Sequence, residues 1–503
     1  MSRLLGLARS HRLFALLLVP AIALRVVTQF AYKPALFLHA DTYFYLLRAD
    51  DLSPGRFRPS LYPLFLRLLS PIPAIASIPA VQHLLTIGVA ILLYAFLLGR
   101  VGRRGAAAAA VVPLLFDAYQ LNVEQAPLSE TLFGTLVVSG LVCAAWSVRP
   151  HFLAAAASGL LLGCGVITRP VGILVLPVVA LYLLWKRSGW VHVALFAVGA
   201  IVPVAGYATW HNSELGSFAI SSRTGHFLYA RVAPFAECGS HIPEGVRMLC
   251  DPRPPSDRPG TGFYMWSPQS PKHRLASLGD EIQNARLGEF ARRVILHQPG
   301  DYAATVGAEF LKVFSPLRVD RNDDESQTTY TFPRTSEEAM VGGAREDGDS
   351  IALIVANNEG APPDVSLFGG SPHPRFQIEQ GLASFLHGYQ KVFFVHGPVL
   401  AVLLLLGLAG GVVGIRRHDG VRRETWLFCI AGMILVAGSF AGSTFDYRYV
   451  LPALPLWGAA AALGATSFWP VPGVRGAEGE ASGAGRPEPR SSERNEIGPS
   501  PGE

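Results

Sequence analysis

The residues of this sequence that are best placed for chemistry follow its first long apolar run. The segment His39-Ala40-Asp41-Thr42-Tyr43-Phe44-Tyr45 sets a carboxylate directly after apolar residues, and Arg56, Arg58 and Tyr62 come shortly afterwards. A carboxylate in this setting can take the proton of an acceptor hydroxyl, so Asp41 is a candidate general base. A structural role stays open, because an aspartate here would also cap a surface helix.

A second acidic segment contains Glu124 and Glu130. Ionisable groups at or inside a membrane boundary are costly and tend to face a polar cavity, which makes both glutamates candidate substrate contacts. Structural alternatives remain here as well. Ser129 and Glu130 also suit the first turn of a helix, and Asp117 could pair with Arg25.

Two arginines, Arg169 and Arg448, stand at the ends of other apolar runs, the second of them between Tyr447 and Tyr449. A guanidinium group binds phosphate through parallel charge-assisted hydrogen bonds, so these arginines suit a lipid-linked phosphate. The alternative is that they extend toward lipid head groups; a functional role is favoured for Arg448, and Arg169 is left open. The candidate substrate-binding residues are Tyr45, Arg56, Arg58, Tyr62, Glu124, Glu130, Arg169, Arg448 and Tyr449.

The composition predicts that these residues are positioned by helices in a membrane. Half of the 503 residues are apolar and only 16% are charged, which departs from a typical soluble protein. Ten apolar runs approach the ~20 residues that a spanning helix needs. They are 12–30, 76–99, 105–118, 128–148, 152–168, 171–185, 190–210, 391–415, 425–441 and 448–467. We therefore expect an all-α membrane protein with about ten transmembrane helices and a large extracytoplasmic segment.

Lysine and arginine residues gather in alternate loops, which sets the expected orientation. The loops predicted to be cytoplasmic contain Arg3, Arg9, Arg12, Arg100, Arg103, Arg104, Lys186, Arg187, Arg416, Arg417, Arg422 and Arg423. Residues 31–75 are basic although they are predicted to lie outside, so their charges are interpreted as functional or interfacial. The first run contains Arg25 and has no small-residue cleavage site, which predicts a retained anchor.

Four parts follow from this pattern: residues 1–210 with seven spans, an extracytoplasmic segment 211–390, residues 391–467 with three spans, and a disordered cytoplasmic tail 468–503. Within the outer segment, apolar residues at helical spacing predict one helix that ends at Pro299 and a second that Asp301 caps and Pro316 ends. The two helices are expected to pack on each other instead of lying on the membrane. Residues 317–380 are polar and aperiodic and are expected to form a loop.

The cysteines and the net charge do not indicate a metal site or a nucleic-acid-binding function. Three cysteines lie in apolar runs, whereas Cys238 and Cys250 are close together in the outer segment, where a disulfide is one interpretation. No cysteine or histidine spacing typical of a metal site occurs. The net charge of +5 is spread over loops without a nucleic-acid-binding motif, so no nucleic-acid partner is expected.

With these residues assembled, the chain resembles the glycosyltransferase-C superfamily, in particular its bacterial protein O-mannosyltransferase and aminoarabinose-transferase branch. Four segments carry the resemblance, in this order along the chain. They are the Asp41 loop with Arg58-Pro59-Ser60-Leu61-Tyr62-Pro63, then Leu128-Ser129-Glu130-Thr131-Leu132-Phe133, then Thr168-Arg169-Pro170-Val171-Gly172, and Tyr447-Arg448-Tyr449-Val450-Leu451-Pro452.

The resemblance implies an inverting transfer of a sugar from a polyprenyl-phosphate donor to an extracytoplasmic acceptor, which would be a lipid, a glycan or a protein. Asp41 would be the general base and Arg448 would hold the donor phosphate. Many relatives have a second acid after the first, but Thr42 stands there in this chain. That departure weakens the case for a metal and for protein O-mannosylation in particular; no cofactor is assigned, and a divalent metal stays an alternative.

Two other functions compete with a transferase in the membrane. A transporter or flippase of a lipid-linked or polar substrate would also be polytopic and carry charges within its spans. The large outer segment and the location of the polar candidates on one face argue against alternating access. A non-catalytic scaffold for envelope assembly, with the acidic loop as its docking surface, is the third hypothesis.

Overall fold

The computed structural model describes residues 11–36, 39–72, 74–147, 151–316, 330–335, 377–417 and 421–469. Within these residues the protein is almost entirely helical, apart from a short antiparallel pair of strands. The predicted loop 317–380 and the predicted tail 468–503 fall mostly outside the described residues. The predicted all-α class is confirmed for the part that is described.

The N-terminal half contains α1 (Arg12–Ala31), β1 (Tyr32–Lys33), α2 (His39–Asp50), α3 (Leu61–Leu69), α4 (Ser77–Val101), α5 (Arg104–Ala110), α6 (Val112–Phe116), α7 (Ala118–Glu124), α8 (Glu130–Ala145), α9 (Phe152–Val166), α10 (Val175–Trp185) and α11 (Trp190–Leu215). The C-terminal half contains α12 (Thr224–Val232), α13 (Glu244–Arg247), α14 (Thr261–Trp266), α15 (Asp280–His297), α16 (Pro299–Lys312), β2 (Gln377–Ile378), α17 (Gln380–Gln390), α18 (Gly397–Arg417), α19 (Arg422–Gly442) and α20 (Ala453–Ala465). Short 3-10 turns at Pro170–Leu174 and Tyr447–Tyr449 precede α10 and α20.

Five of these helices, α1, α4, α11, α18 and α19, are long and apolar enough to cross a membrane. Four of the other predicted spans are shorter apolar helices, and the run 105–118 is divided into α5 and α6, so ten full spans are not shown. Proline explains several of the shortened ends. Pro398 and Pro452 stand at or just before the first turn of a helix, where a residue without an amide hydrogen is tolerated.

Close packing of small residues joins two neighbouring helices of the membrane body, α9 and α11. A Cβ atom at Gly159 would lie 2.0 Å from the carbonyl oxygen of Phe196, and one at Gly163 would lie 2.5 Å from that of Ala200. Only glycine therefore allows the two backbones to come this close. Helix pairs in membranes commonly associate in this way, because lipid tails supply no hydrophobic force between helices.

The segment that was predicted to be extracytoplasmic has a small core of its own, separate from the membrane body, which we call the outer core. Leu287, Phe290, Ala291 and Val294 of α15 are buried there against residues of α12 and α14, including Tyr229. Cys238 and Cys250 are bonded to each other at the edge of this core. The helix ends before Pro299, as the sequence predicted.

Helix α16 packs on the membrane body and not mainly on α15. Val306, Phe310 and Phe314 contact the core of the membrane body, and the hydroxyl of Tyr302 donates a hydrogen bond of 2.9 Å to the carbonyl oxygen of Ala441. The prediction that Asp301 caps this helix is wrong, because the helix begins at Pro299 and Asp301 lies in its first turn. A carboxylate in the first turn still stabilises a helix through its dipole.

Polar contacts fix the outer core to the membrane body near the first outer loop. The buried Arg231 pairs with Glu309 of α16 at 2.7 Å. Asp280 at the start of α15 pairs with Arg223 at 2.8 Å and also with Arg56 of the first outer loop. The segment from α2 to α3, which contains Asp41 and Arg58, is thereby held against the outer core.

Candidate active site

Helix α2 carries Asp41 in its first turn, so the helix that the capping hypothesis required is present. The carboxylate does not face open solvent, however. Its side chain is only 14% exposed, and it points to arginines from two distant parts of the chain. Thr42, the residue after Asp41, is fully buried.

Two guanidinium groups converge on one oxygen of Asp41. Arg448 Nη1 lies 2.6 Å from Asp41 Oδ2, and Arg58 Nη2 lies 2.7 Å from the same atom. Distances of this size are those of short charge-assisted contacts. The structure thus brings together the candidate base and two of the candidate substrate-binding arginines.

Arg448 is oriented by the short turn from which it projects. Asp446 precedes this turn, and its carboxylate accepts a hydrogen bond of 3.0 Å from the backbone nitrogen of Arg448. The same carboxylate lies 2.7 Å from Arg448 Nε, while Glu130 Oε1 lies 3.6 Å from that nitrogen. Arg448 is therefore shared among three carboxylates and has little freedom to turn.

Arg169 and Glu130 complete the cluster on the side of α8. Arg169 forms an ion pair with Glu130 Oε1, and its side chain is only 12% exposed, which does not fit a group that extends to lipid head groups. The ring of Tyr449 lies between the two arginines, with its centroid 5.0 Å from the guanidinium carbon of Arg169 and 5.3 Å from that of Arg448. Cation–π attraction supports both side chains from one aromatic ring.

The formal charges of this charged cluster cancel. Its carboxylates are Asp41, Glu130 and Asp446, and its guanidinium groups are Arg58, Arg169 and Arg448. Mutual pairing offsets part of the desolvation cost that each ion would have alone. An incoming phosphate would therefore have to compete with a carboxylate for each guanidinium group.

Tyr45 of α2 and Tyr62 of α3 pack against each other next to the charged cluster. Both are fully buried, with ring centroids 4.8 Å apart in an edge-to-face arrangement. The Tyr45 hydroxyl donates to Ser129 Oγ at 2.9 Å, and the Tyr62 hydroxyl donates to Gln82 Oε1 at 2.8 Å. Burial raises the pKa of Tyr45, which keeps its hydroxyl protonated.

Two of the candidate residues lie away from the charged cluster. Arg56 is half exposed and pairs with Asp280 of the outer core. Glu124 is completely buried and is held by Arg25, with contacts of 2.9 Å to Oε2 and 3.0 Å to Oε1, and by His83 Nδ1 at 2.8 Å. The alternative pairing of Arg25 with Asp117 is not formed.

Asp117 instead has a structural role at the start of α7. Its carboxylate accepts hydrogen bonds from the backbone nitrogens of Gln120 at 2.8 Å and Val395 at 2.7 Å. It thereby caps one helix and holds the segment before α18. This is the capping chemistry that the sequence had offered as the alternative for Asp41.

Asp446 is the residue of the charged cluster that was not among the candidate substrate contacts. Its position two residues before Arg448 was the available signal, because an aspartate can cap a turn and pair with a nearby arginine at once. Across the described ranges, no group of three or more His, Cys, Asp or Glu side chains is arranged to hold a metal ion.

Comparison with known proteins gives little further guidance. No protein-family model matches the chain, and no curated protein matches it. Among solved structures, the archaeal oligosaccharyltransferase AglB from Archaeoglobus fulgidus, in complex with an inhibitory peptide and a dolichol-phosphate, is similar at 14% identity with a TM-score of 0.38. The match covers 90% of this chain and 50% of that one, so this chain spans about half its length. A TM-score this low does not establish a shared fold.

Proposed function

We propose that this protein is an integral membrane glycosyltransferase of the glycosyltransferase-C type, which transfers a sugar from a polyprenyl-phosphate donor to an extracytoplasmic acceptor with inversion. The observation that carries the proposal is the meeting of Arg58 and Arg448 on Asp41 Oδ2. A proton acceptor and two phosphate-binding groups are the parts that such a displacement requires. They lie together in a largely buried cluster near the ends of apolar helices.

The transfer is a single displacement in which every proton and electron pair is accounted for. Asp41 takes the proton of the acceptor hydroxyl, and the acceptor oxygen forms a bond to the anomeric carbon of the sugar. The bond from that carbon to the phosphate oxygen breaks, and its electron pair stays on the polyprenyl phosphate. Negative charge thus moves from Asp41 to the phosphate, and Arg58 and Arg448 are close enough to Asp41 to follow it.

A lipid-linked phosphate fits the location of the arginines better than a soluble nucleotide sugar. Arg448 and Arg169 lie shortly before α20 and α10, two helices whose sequences contain no charged residue. A cavity of about 20 Å³ beside Arg448 is lined mostly by apolar side chains, among them Val450 and Leu454. It is too small for an isoprenoid chain, so the lipid tail would run along the helix surfaces that face lipid.

Two residues near opposite ends of α4 support an extracytoplasmic location for the charged cluster. Gln82, which accepts the hydrogen bond of the Tyr62 hydroxyl near the charged cluster, lies in the first part of this helix. Arg100 lies in its last turn. Their 18-residue separation corresponds to roughly 27 Å along the helix axis. The cluster is therefore far from the basic end, which the positive-inside rule assigns to the cytoplasm. The bonded pair Cys238–Cys250 on the outer core is also typical of an oxidising compartment.

The proposal is tested with purified protein in liposomes that contain a radiolabelled polyprenyl-phosphate sugar. Envelope extract is supplied as the source of acceptors, and a nucleotide sugar replaces the lipid donor in a parallel reaction. We expect label to move to an acceptor from the lipid donor only, with release of polyprenyl phosphate. Movement of intact label across the bilayer without transfer would contradict the proposal and favour a transporter or flippase.

A further inference from the structure

A small cavity borders the charged cluster at Glu130. It has a volume of about 20 Å³ and is lined by residues of α4, α6, α7, α8 and the segment that begins α20. Its polar lining consists of Thr86, Gln120, Glu130, Thr131 and Thr135, and its apolar lining includes Pro452. None of the roles proposed above for transfer uses this cavity.

Two buried polar atoms belong to residues that line this cavity. Glu130 Oε2 and Thr131 Oγ1 have no hydrogen-bond partner among the described residues, and each residue is only 4% exposed. A buried polar group without a partner destabilises a protein by about 1–3 kcal/mol, and by more if it is charged. Two such atoms on consecutive residues facing one cavity indicate a ligand that can bond to both.

We propose that this cavity is a binding site for a single water molecule, which donates a hydrogen bond to Glu130 Oε2 and accepts one from Thr131 Oγ1. A site for one water needs roughly 10–15 Å³ and two to four polar partners, and the cavity meets both conditions. Gln120 and Thr86 supply further polar groups on its walls. A phosphate group or a sugar is too large.

A water molecule fits the charge of the site better than a monovalent cation. The other oxygen of the same carboxylate, Glu130 Oε1, is already paired with Arg169 and lies 3.6 Å from Arg448 Nε. A cation at Oε2 would therefore be close to two guanidinium groups and would be repelled by both. A neutral donor completes the hydrogen bonding of Glu130 without adding charge.

The water makes Thr131 a positioning residue for the charged cluster. With Oε2 held by the water, the plane of the Glu130 carboxylate is fixed, and this fixes how Oε1 faces Arg169 and Arg448. The cavity also connects to the second buried ion pair. Gln120 lines it and donates a hydrogen bond of 3.0 Å to Glu124 Oε1.

The water site is tested by determining the structure of the full-length protein at a resolution that shows ordered water. Thr131→Val removes the hydroxyl and keeps the shape, whereas Thr131→Ser keeps the hydroxyl. Thr135→Val is the matched control, because Thr135 lines the same cavity but its hydroxyl already donates to the carbonyl oxygen of Thr131 at 2.8 Å. No donor or acceptor is needed, so the result is independent of the proposed transferase activity.

We expect density within hydrogen-bond distance of Glu130 Oε2 in the wild-type protein, in Thr131→Ser and in Thr135→Val, and its loss in Thr131→Val. If Thr131→Val does not fold, the wild-type and Thr131→Ser maps still decide the question. A wild-type cavity without density, in a map that shows other buried waters, would overturn the proposal. So would a thermal midpoint that rises in sodium chloride but not in choline chloride, because that would indicate a bound cation.

Discussion

Arg448 Nη1 lies 2.6 Å from Asp41 Oδ2, although 407 positions separate the two residues in the chain. The oxygen that is proposed to accept the proton is thus covered by the group that is proposed to hold the phosphate. Arg58 covers the same oxygen at 2.7 Å. A donor phosphate that draws these guanidinium groups toward itself would uncover Asp41, so we expect donor binding to precede proton transfer.

Arg448 should dominate donor affinity. Removing a buried, hydrogen-bonded charge contact typically weakens binding by 2 kcal/mol or more, which corresponds to a rise of about thirtyfold or more in the Kd. We therefore expect this loss for Arg448→Gln, measured by titrating the purified protein with a fluorescent polyprenyl-phosphate analogue. Arg56→Gln is the control, because Arg56 is half exposed and pairs with Asp280 outside the charged cluster.

The Arg448→Gln protein also leaves carboxylates without a partner, which is why its folding needs a check. The double variant Arg448→Gln with Asp446→Asn removes the closest uncompensated charge, at 2.7 Å from Arg448 Nε. It should be more stable to heat than the single variant and bind donor equally poorly. Donor affinity at the wild-type level in this double variant would show that Arg448 does not hold the phosphate.

The Arg25–Glu124 pair should be structural. Breaking a buried ion pair from one side typically costs about 3–5 kcal/mol, whereas replacing both partners with apolar side chains of similar size is often neutral. We expect Arg25→Met and Glu124→Leu each to lower the unfolding midpoint in detergent, and the double variant to recover much of that loss. The double variant should bind donor as the wild type does. If every Glu124 variant, including the double variant, bound donor more weakly than the wild type, Glu124 would be a substrate contact after all.

The outer core should lose stability in mild acid because of His226. Burial, together with the nearby charges of Lys272, Arg223 and His273, lowers the pKa of His226 to about 3. In the unfolded chain His226 therefore binds a proton near pH 6.5, whereas in the folded chain it stays neutral. The free energy of unfolding that depends on His226 is complete above that pH and falls as the pH drops toward about 3. The expected slope is at most about 1.4 kcal/mol per pH unit.

Hydrogen exchange of residues 224–297 between pH 7 and pH 4.5 measures this effect, after correction for the intrinsic pH dependence of exchange. His226→Phe keeps an aromatic ring next to Phe57, Phe227 and Trp266 and removes the titrating group. The variant should show less acid sensitivity than the wild type. Equal acid sensitivity in both proteins would assign the effect to other groups.

Much of the architecture follows from the sequence because apolar length and proline placement are local signals. Runs such as 12–30 and 190–210 are helices close to the expected bounds, namely α1 and α11. The run 105–118 is different, since it contains Pro113 and ends at Asp117, and α5 and α6 divide it. Composition alone could not show whether such a run crosses a membrane.

The ionic partners could be predicted less well, because pairing depends on distances between remote segments. The types and positions of Asp41, Glu130 and Arg448 indicated chemistry at a membrane boundary, but nothing in the sequence indicated that Glu124 would face Arg25 or that Glu130 would face Arg169. Asp117 and Glu124 belong to one short acidic segment and serve two separate structural tasks. The residue type determines which interactions a side chain can form, but its ionic partner depends on the three-dimensional fold.

The base assignment is tested by measuring sugar transfer with Asp41→Asn in the liposome assay, beside Asp50→Asn as a control at the exposed end of the same helix. Donor titration of both variants confirms that they are folded. We expect Asp41→Asn to bind donor but to transfer sugar about 10²–10⁴-fold more slowly than the wild type, since that is the usual contribution of a general base. Wild-type turnover by Asp41→Asn would contradict the assignment.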